Sequence, residues 1–548
     1  MLKEIFDNVP ITKTFTVQEI REILNRDFVD LINTNTSVDL TKNSSALTSI
    51  EMEQIISAVK IAYQKIFESD LIAQNAKNII SNSLFCRLLE LLINSTTPEL
   101  FFIKIQQAFT PAQIAFAVLF FANTPRKSKL VLNFFYEHRH IFPKKQNKIH
   151  TIALEYFQMQ AGGISRFISK IIPIYMQLGY RVILFTEEYN PDLEYSLPAP
   201  SELYKRVVLK SRGKIFEQLT EFEKYVKDYE IDLFISHKHW DELIPELHIL
   251  FFKLCGVKIA FQIHGCITKH AFIFPNAPIV FKNVDFLATL SRTCQKYWEN
   301  FGVRSYYIPN PFSLDQKEIF NGRNPKKKTN TIIFVGVIVE WKNPYAVLPI
   351  IKEVRKEIPD VKLKILGEIY DTKIFRQMKN FIVENRLEDN VEFLGNQKNM
   401  GQFYENADVM LSTSTAEGWG LAIAESKFYE LPLVLYELPD TELLRDGKGY
   451  IAVPQGDFKA AARTIIKILT NTEFRCKLSA EARESIQPFI DYDIAGAWQK
   501  IFDDLDNDVA VPPHSVENEK IQTFLVEEIW QEKIKIQALA AQIEQLKK

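Results

Sequence analysis

Short runs rich in apolar residues punctuate the chain from Ile149 onward, with amphipathic stretches between them. Ile149–Leu154, Tyr180–Thr186, Leu233–Ser236, Lys258–Ile263 and Phe286–Leu290 make one series. Ile332–Val335, Lys362–Leu366, Val391–Leu394, Val409–Leu411 and Leu433–Tyr436 make a second. Apolar runs of this length, alternating with helical periodicity, predict βαβ units and parallel sheets covered on both faces. Two series predict two doubly wound domains in tandem, at 148–315 and 316–486, with a returning helix at 487–508. The polar, basic stretch Gln316–Asn330, which holds Asn324-Pro325 and a lysine run, reads as the hinge. Ligands of such sheets bind beyond the carboxyl ends of the strands, and tandem domains set those ends across a cleft.

The flanks read differently. Residues 1–147 carry helical periodicity in Ile55–Phe67, Leu84–Ile93 and Ala112–Phe121, with few β-branched runs, and predict an N-terminal helical domain. Thr110-Pro111 has the form of an N-cap followed by proline at the first helical position. Arg126–Lys148, rich in Lys, Arg and His, holds a linker near its end. In the tail, 515–548, Ile529, Ile536 and Ile543 are seven apart, as are Leu539 and Leu546, and Glu532 interrupts the pattern. This predicts a short coiled coil that makes homo-oligomers; one amphipathic helix packed on its own domain is the alternative.

Composition narrows the partners. A formal net charge of −2 gives no global field to recruit nucleic acid. The five cysteines are scattered, without a Cys-x-x-Cys pair, which fits a reducing cytosol better than a disulfide framework or a zinc site. Met1–Phe15 lacks the basic start and apolar core of a signal peptide. The most apolar stretch, Ile114–Ala122, is far shorter than the ~20 residues of a membrane span and reads as a buried helix. The expected location is the cytoplasm.

The candidate chemistry concentrates in Ser412–Glu425. The apolar run Ala407–Leu411 leads into a polar turn, then Gly418-Trp419-Gly420, then the start of a helix at Leu421. Such a strand–loop–helix unit presents backbone N–H groups and a helix N-terminus to an anion. Glu417 and Glu425 bracket it, spaced close to two helical turns, which allows both on roughly one side. Carboxylates in that setting suit hydroxyls, and hence a sugar. Acids also favour helix N-termini without any ligand, but the neighbouring glycines cost stability unless the backbone must approach something closely.

Further positions fall in order around this segment. They are Gly162-Gly163-Ile164; His264-Gly265 after Ile259–Ile263; Ile308-Pro309-Asn310; Phe334-Val335-Gly336 with Lys342; Leu366-Gly367; Phe393-Leu394-Gly395; Pro432-Leu433-Val434; and Glu442–Gly447. Over 149–505 the series resembles the GT-B glycosyltransferases, and its motifs resemble family 4 (group 1) of the retaining enzymes. The resemblance implies an α/β GT-B fold of two Rossmann-like domains, flanked here by the helical front and the tail. It implies a nucleotide-sugar donor, a glycan, lipid-linked or protein acceptor, no cofactor, and peripheral contact with the inner face of the membrane. It places Gly163, Lys342, Gly418, Trp419, Gly420, Leu421 and Glu425 at the donor, and His264 and Glu417 at the reacting sugar.

The chemistry follows. Breaking a sugar–phosphate bond moves negative charge onto the leaving diphosphate. Lys342, the N–H groups of Gly418–Leu421 and the helix dipole can meet that charge in place of a divalent metal, so no metal is expected. Glu425 is expected on the ribose hydroxyls and Glu417 near the donor sugar. Trp419 shapes the sugar pocket or packs in the core. His264 positions the sugar or acceptor, with acid–base work open to it; His237 is the second choice, and His239, His248 and His270 read as satisfied histidines. The sequence departs from the family at Val337, where an arginine follows the glycine of the diphosphate turn, and at Lys427, Phe428 and Glu430. Arginine forks onto phosphate as no apolar side chain can. Either another cation, such as Arg166 or Arg304, fills in, or donor binding weakens. A scaffold subunit that has lost activity and a nucleotide-sugar epimerase are the alternative readings.

Overall fold

The computed structural model describes residues 98–115 and, apart from short internal stretches, 139–511. The expected helices Ile55–Phe67 and Leu84–Ile93, most of the lysine-bearing hinge (312–327) and the heptad tail from Ile529 lie outside the described residues, as do His239 and His270. Of the front segment, Pro98–Ala108 is a helix. After it the Thr110 Oγ1 accepts the Gln113 N–H while the Gln113 Oε1 accepts the Thr110 N–H, a reciprocal cap that satisfies two orphan donors of a helix start.

Two parallel sheets follow. The first holds β1 (Thr151–Glu155), β2 (Arg181–Thr186), β3 (Tyr204–Val208), β4 (Leu233–Ser236), β5 (Lys258–Ile263), β6 (Phe286–Thr289) and β7 (Ser305–Tyr307) in the order β3-β2-β1-β4-β5-β6-β7. The second holds β8 (Thr331–Val335), β9 (Lys362–Leu366), β10 (Val391–Gly395), β11 (Val409–Ser412), β12 (Leu433–Tyr436) and β13 (Tyr450–Val453) in the order β10-β9-β8-β11-β12-β13. Every residue of β1, β4, β6, β11 and β12 is buried. Helices cover both faces, so these strands are apolar along their middles and admit polar residues only at their ends, and the two cores on each sheet are built from opposite faces of the same strands.

Three strands escaped the hydrophobic pattern. β3 and β13 are edge strands with exposed residues among the buried ones, and β7 is an edge strand of three residues. Edge strands are covered less and need fewer apolar residues.

The chain then returns to the first domain. Helix Ile494–Asp506 packs Trp498 and Phe502 edge-on against Tyr175 of helix Gly163–Gln177. The Asp506 carboxylate accepts the Ile149 N–H at 3.0 Å. Asp-x-Asp triplets, a pattern associated with metal-bound diphosphate, begin at Asp491, Asp504 and Asp506. In this returning segment Asp493 caps its helix, Asp504 accepts the Tyr306 hydroxyl and Asp506 holds Ile149. Among the described residues no helix is long and apolar enough to cross a membrane.

The carboxyl ends of the two sheets meet. A Cβ built on Gly163 would lie 3.2 Å from Leu421 Cδ1, and one on Gly418 would lie 1.9 Å from the His264 carbonyl oxygen. Arg292 of the first domain donates its backbone N–H and guanidinium to Glu442 of the second, and Arg445 reaches back to the Thr293 hydroxyl.

Candidate active site

The loop after β11 is clamped at both ends. Thr413 Oγ1 donates to the Asn343 carbonyl at 2.8 Å, and Thr415 donates its N–H to the Trp341 carbonyl at 2.8 Å. These bonds fasten the loop to the 3-10 turn Glu340–Lys342 that follows β8. Lys342 Nζ then donates to Glu417 Oε1 at 2.6 Å, and Ser414 Oγ donates to the same oxygen at 2.7 Å. Gly420 takes φ +83°, a left-handed conformation that glycine adopts without strain, and helix Leu421–Phe428 starts immediately after it. The spacing of the two glutamates therefore does not correspond to two helical turns. Glu417 belongs to the loop and Glu425 to the helix, because the left-handed glycine resets the backbone direction between them.

Glu425 is 5% exposed, and both its oxygens are engaged. Arg166 of helix Gly163–Gln177 ion-pairs with Oε1, and the Tyr404 hydroxyl donates to Oε2 at 2.6 Å. Burial works against the Arg166 charge, but the Glu425 carboxylate outweighs it and raises the guanidinium pKa. Burial, reinforced by Glu425, pushes the Tyr404 phenol far up, so it stays a donor. Of the two cations considered as replacements for the arginine absent at Val337, Arg166 lies at this helix. Arg304 instead donates to the Val509 carbonyl beyond the returning helix. Lys342 lies with its stem against Gly336, the glycine that follows β8.

On the facing wall, His264 follows β5 and His237 follows β4. His237 Nδ1 and His264 Nε2 are 3.0 Å apart, and the Phe167 ring packs on both imidazoles. His237 is fully enclosed, and burial lowers its pKa to about 3, so it is neutral. Trp419 is buried and packs edge-on against Phe489, which makes it a core residue beneath the loop.

Several contributors were not legible in the sequence. Tyr404 sits in a five-residue helix with no motif around it. Behind His237, the buried Lys238 pairs with the buried Glu155 at 2.7 Å and with the partly buried Glu187 at 2.6 Å, with His248 beside Glu155. The desolvation that would raise the Glu155 pKa is outweighed by Lys238 and His248, which hold it low. Lys427 is also buried. Its ammonium donates to the Leu443 carbonyl and the Ser485 hydroxyl, and burial lowers its pKa to about 8 despite Asp446 nearby.

Residues 315–485 match the family model described as glycosyl transferases group 1, and residues 161–316 match glycosyltransferase family 4. An alpha-1,4-N-acetyl-D-galactosaminyltransferase of Campylobacter jejuni, named for a saccharide on PP-undecaprenol, is 24% identical over 53% of this chain and 80% of its own length. Alpha-monoglucosyldiacylglycerol synthase of Acholeplasma laidlawii is 22% identical over 61% of this chain and 82% of its own. The crystal structure of Anabaena HepE with UDP and glucose superposes with a TM-score of 0.51 at 15% identity, covering 65% of this chain and 100% of that one, a likeness of fold.

Proposed function

The chain belongs to the group 1 glycosyltransferases as a divergent member with the GT-B fold, and on that premise we propose that it is a retaining, metal-independent enzyme that moves a sugar from a nucleotide diphosphate to a lipid-linked glycan. The observation that carries this reading is the Lys342–Glu417 pair at 2.6 Å, set beside Gly418–Gly420 at the start of helix Leu421–Phe428. Lysine ammonium, loop N–H groups and helix dipole converge where a departing diphosphate would gather charge. Glu417 is then the carboxylate nearest the reacting sugar.

In the proposed reaction the bond from the sugar C1 to the diphosphate oxygen breaks, and its electron pair leaves with the phosphate. The acceptor hydroxyl oxygen forms the new bond to C1 on the face just vacated. Its proton passes to the departing diphosphate, so no nucleophile of the protein is required. The lipid-linked acceptor draws support from the Campylobacter relative, named for a saccharide on PP-undecaprenol, and the Acholeplasma relative, named for making a glucosyl lipid. Peripheral membrane contact at the cytoplasmic face and self-association through residues 515–548 belong to the same proposal.

The scaffold alternative rests on one observation: Glu425, the expected ribose carboxylate, is already bonded by Arg166 and Tyr404. A panel of nucleotide-sugars scored for thermal stabilisation and nucleotide release separates the two, since a ligand selective for the native state raises Tm. A transferase releases nucleotide from one of them and makes a linkage that keeps the donor's α-configuration. Wild-type rates in folded Lys342→Ala and Glu417→Ala would end the reading.

A further inference from the structure

A neutral imidazole has one donor and one acceptor nitrogen. His237 is neutral, and its Nε2 is buried with no hydrogen-bond partner. A proton there would bury an unsatisfied N–H, which native structures avoid more strictly than an unsatisfied acceptor. The proton therefore belongs on Nδ1, the atom 3.0 Å from His264 Nε2. His237 then donates and His264 Nε2 accepts, which leaves the proton of His264 on its own Nδ1.

From this we infer that His237 is a positioning residue: a buried tautomer lock that presents His264 as a neutral Nδ1–H donor. The inference rests on the reading of His264 as the cleft histidine of a transferase. It narrows that reading, because a His264 so held orients a sugar or acceptor hydroxyl and takes no proton on Nε2. A second proton on His264 would face the Nδ1–H of His237. To relieve this, His237 would have to move its proton to the enclosed Nε2.

The surroundings reinforce the arrangement. Phe167 fixes the planes of both rings. The Glu155 carbonyl accepts the His237 backbone N–H at 2.9 Å. The charged groups around the pair are engaged with one another: Lys238 bridges Glu155 and Glu187 behind it, Arg166, on the helix that carries Phe167, holds Glu425, and Lys342 holds Glu417 on the facing loop.

The test is a long-range ¹H–¹⁵N correlation spectrum of the full chain labelled at histidine, with His264 assigned by the loss of its signals in His264→Gln. Both rings should show the Nδ1–H form. In His237→Phe, His264 should shift toward the Nε2–H form that free imidazole favours, and turnover should fall about tenfold with KM little changed, the equivalent of one neutral hydrogen bond. His237→Asn places an amide donor near the position of Nδ1 and should restore both the tautomer and most of the rate. An Nε2–H His264 in the wild type overturns the inference even if His237→Phe does not fold, and so does a His264 tautomer indifferent to His237→Phe. A tautomer that responds as expected in a chain that turns over no nucleotide-sugar upholds the lock and retires the transferase reading.

Discussion

Arg166 and Glu425 form an ion pair across the boundary between the two α/β domains, one residue from the first turn after the glycine pair and the other from the helix behind the donor loop. The pair joins the element that approaches Leu421 to the element that starts there. Glu425 lies about one helical turn past Leu421, where that helix starts, and holds the guanidinium. Removing it leaves a buried carboxylate with only Tyr404. Arg166→Ala should lower stability by about 3 kcal/mol in urea unfolding and raise the KM for donor. Arg166→Ala combined with Glu425→Gln should recover part of the stability, and additive losses would show that the pair is not coupled.

Lys342→Ala should reduce kcat by about 10²–10³-fold, the usual effect of one group that stabilises developing charge. Glu417→Gln should lose rate as well while keeping the Ser414 bond. Steady-state kinetics on protein with unchanged circular dichroism checks both.

Acid should destabilise the protein through His237. Its folded pKa of about 3 lies below the ordinary 6.5. Below 6.5 the unfolded chain binds a proton that the folded one refuses. The stability His237 contributes is therefore complete above pH 6.5 and drains as pH falls toward 3. Between pH 7 and pH 5 the loss should be about 2 kcal/mol. Urea titrations at the two pH values should show this difference in the wild type, and a clearly smaller one in His237→Phe.

Lys427 acts at the other end of the scale. Its folded pKa of about 8 is below the ordinary 10.5, so stability should rise with pH between those values, by about 3 kcal/mol in full. Lys427→Met should flatten that rise. A wild-type stability that stays level from pH 8 to pH 10 would contradict the burial of this ammonium.

Gly418→Ala tests the meeting of the two domains. The new methyl would sit 1.9 Å from the His264 carbonyl oxygen, a backbone atom that cannot swing aside. The loop and the facing wall must then part. Turnover should drop about a hundredfold, while calorimetry shows each domain melting as before.

How far the sequence could be read depended on what each residue touches. The strands buried on both faces announced themselves, because nothing polar could occupy Ile152, Phe234 or Val434. Edge strand β3, Tyr-Lys-Arg-Val-Val, could not, since only part of it is covered. The individual site positions stood out through glycines and glutamates that a plain loop would not keep. Their partnerships did not. Lys342 meets Glu417 across 75 residues, His237 meets His264 across 27, and Tyr404 reaches Glu425 from a helix with no pattern of its own. Trp419 offered two readings, pocket wall and core packing, and the structure shows it buried.

The bond between the Asp506 carboxylate and the Ile149 N–H has a consequence for how the whole chain is hung together. The polypeptide enters the tandem body and leaves it through neighbouring points on the same lobe. The other lobe is suspended between them like a bucket on its handle.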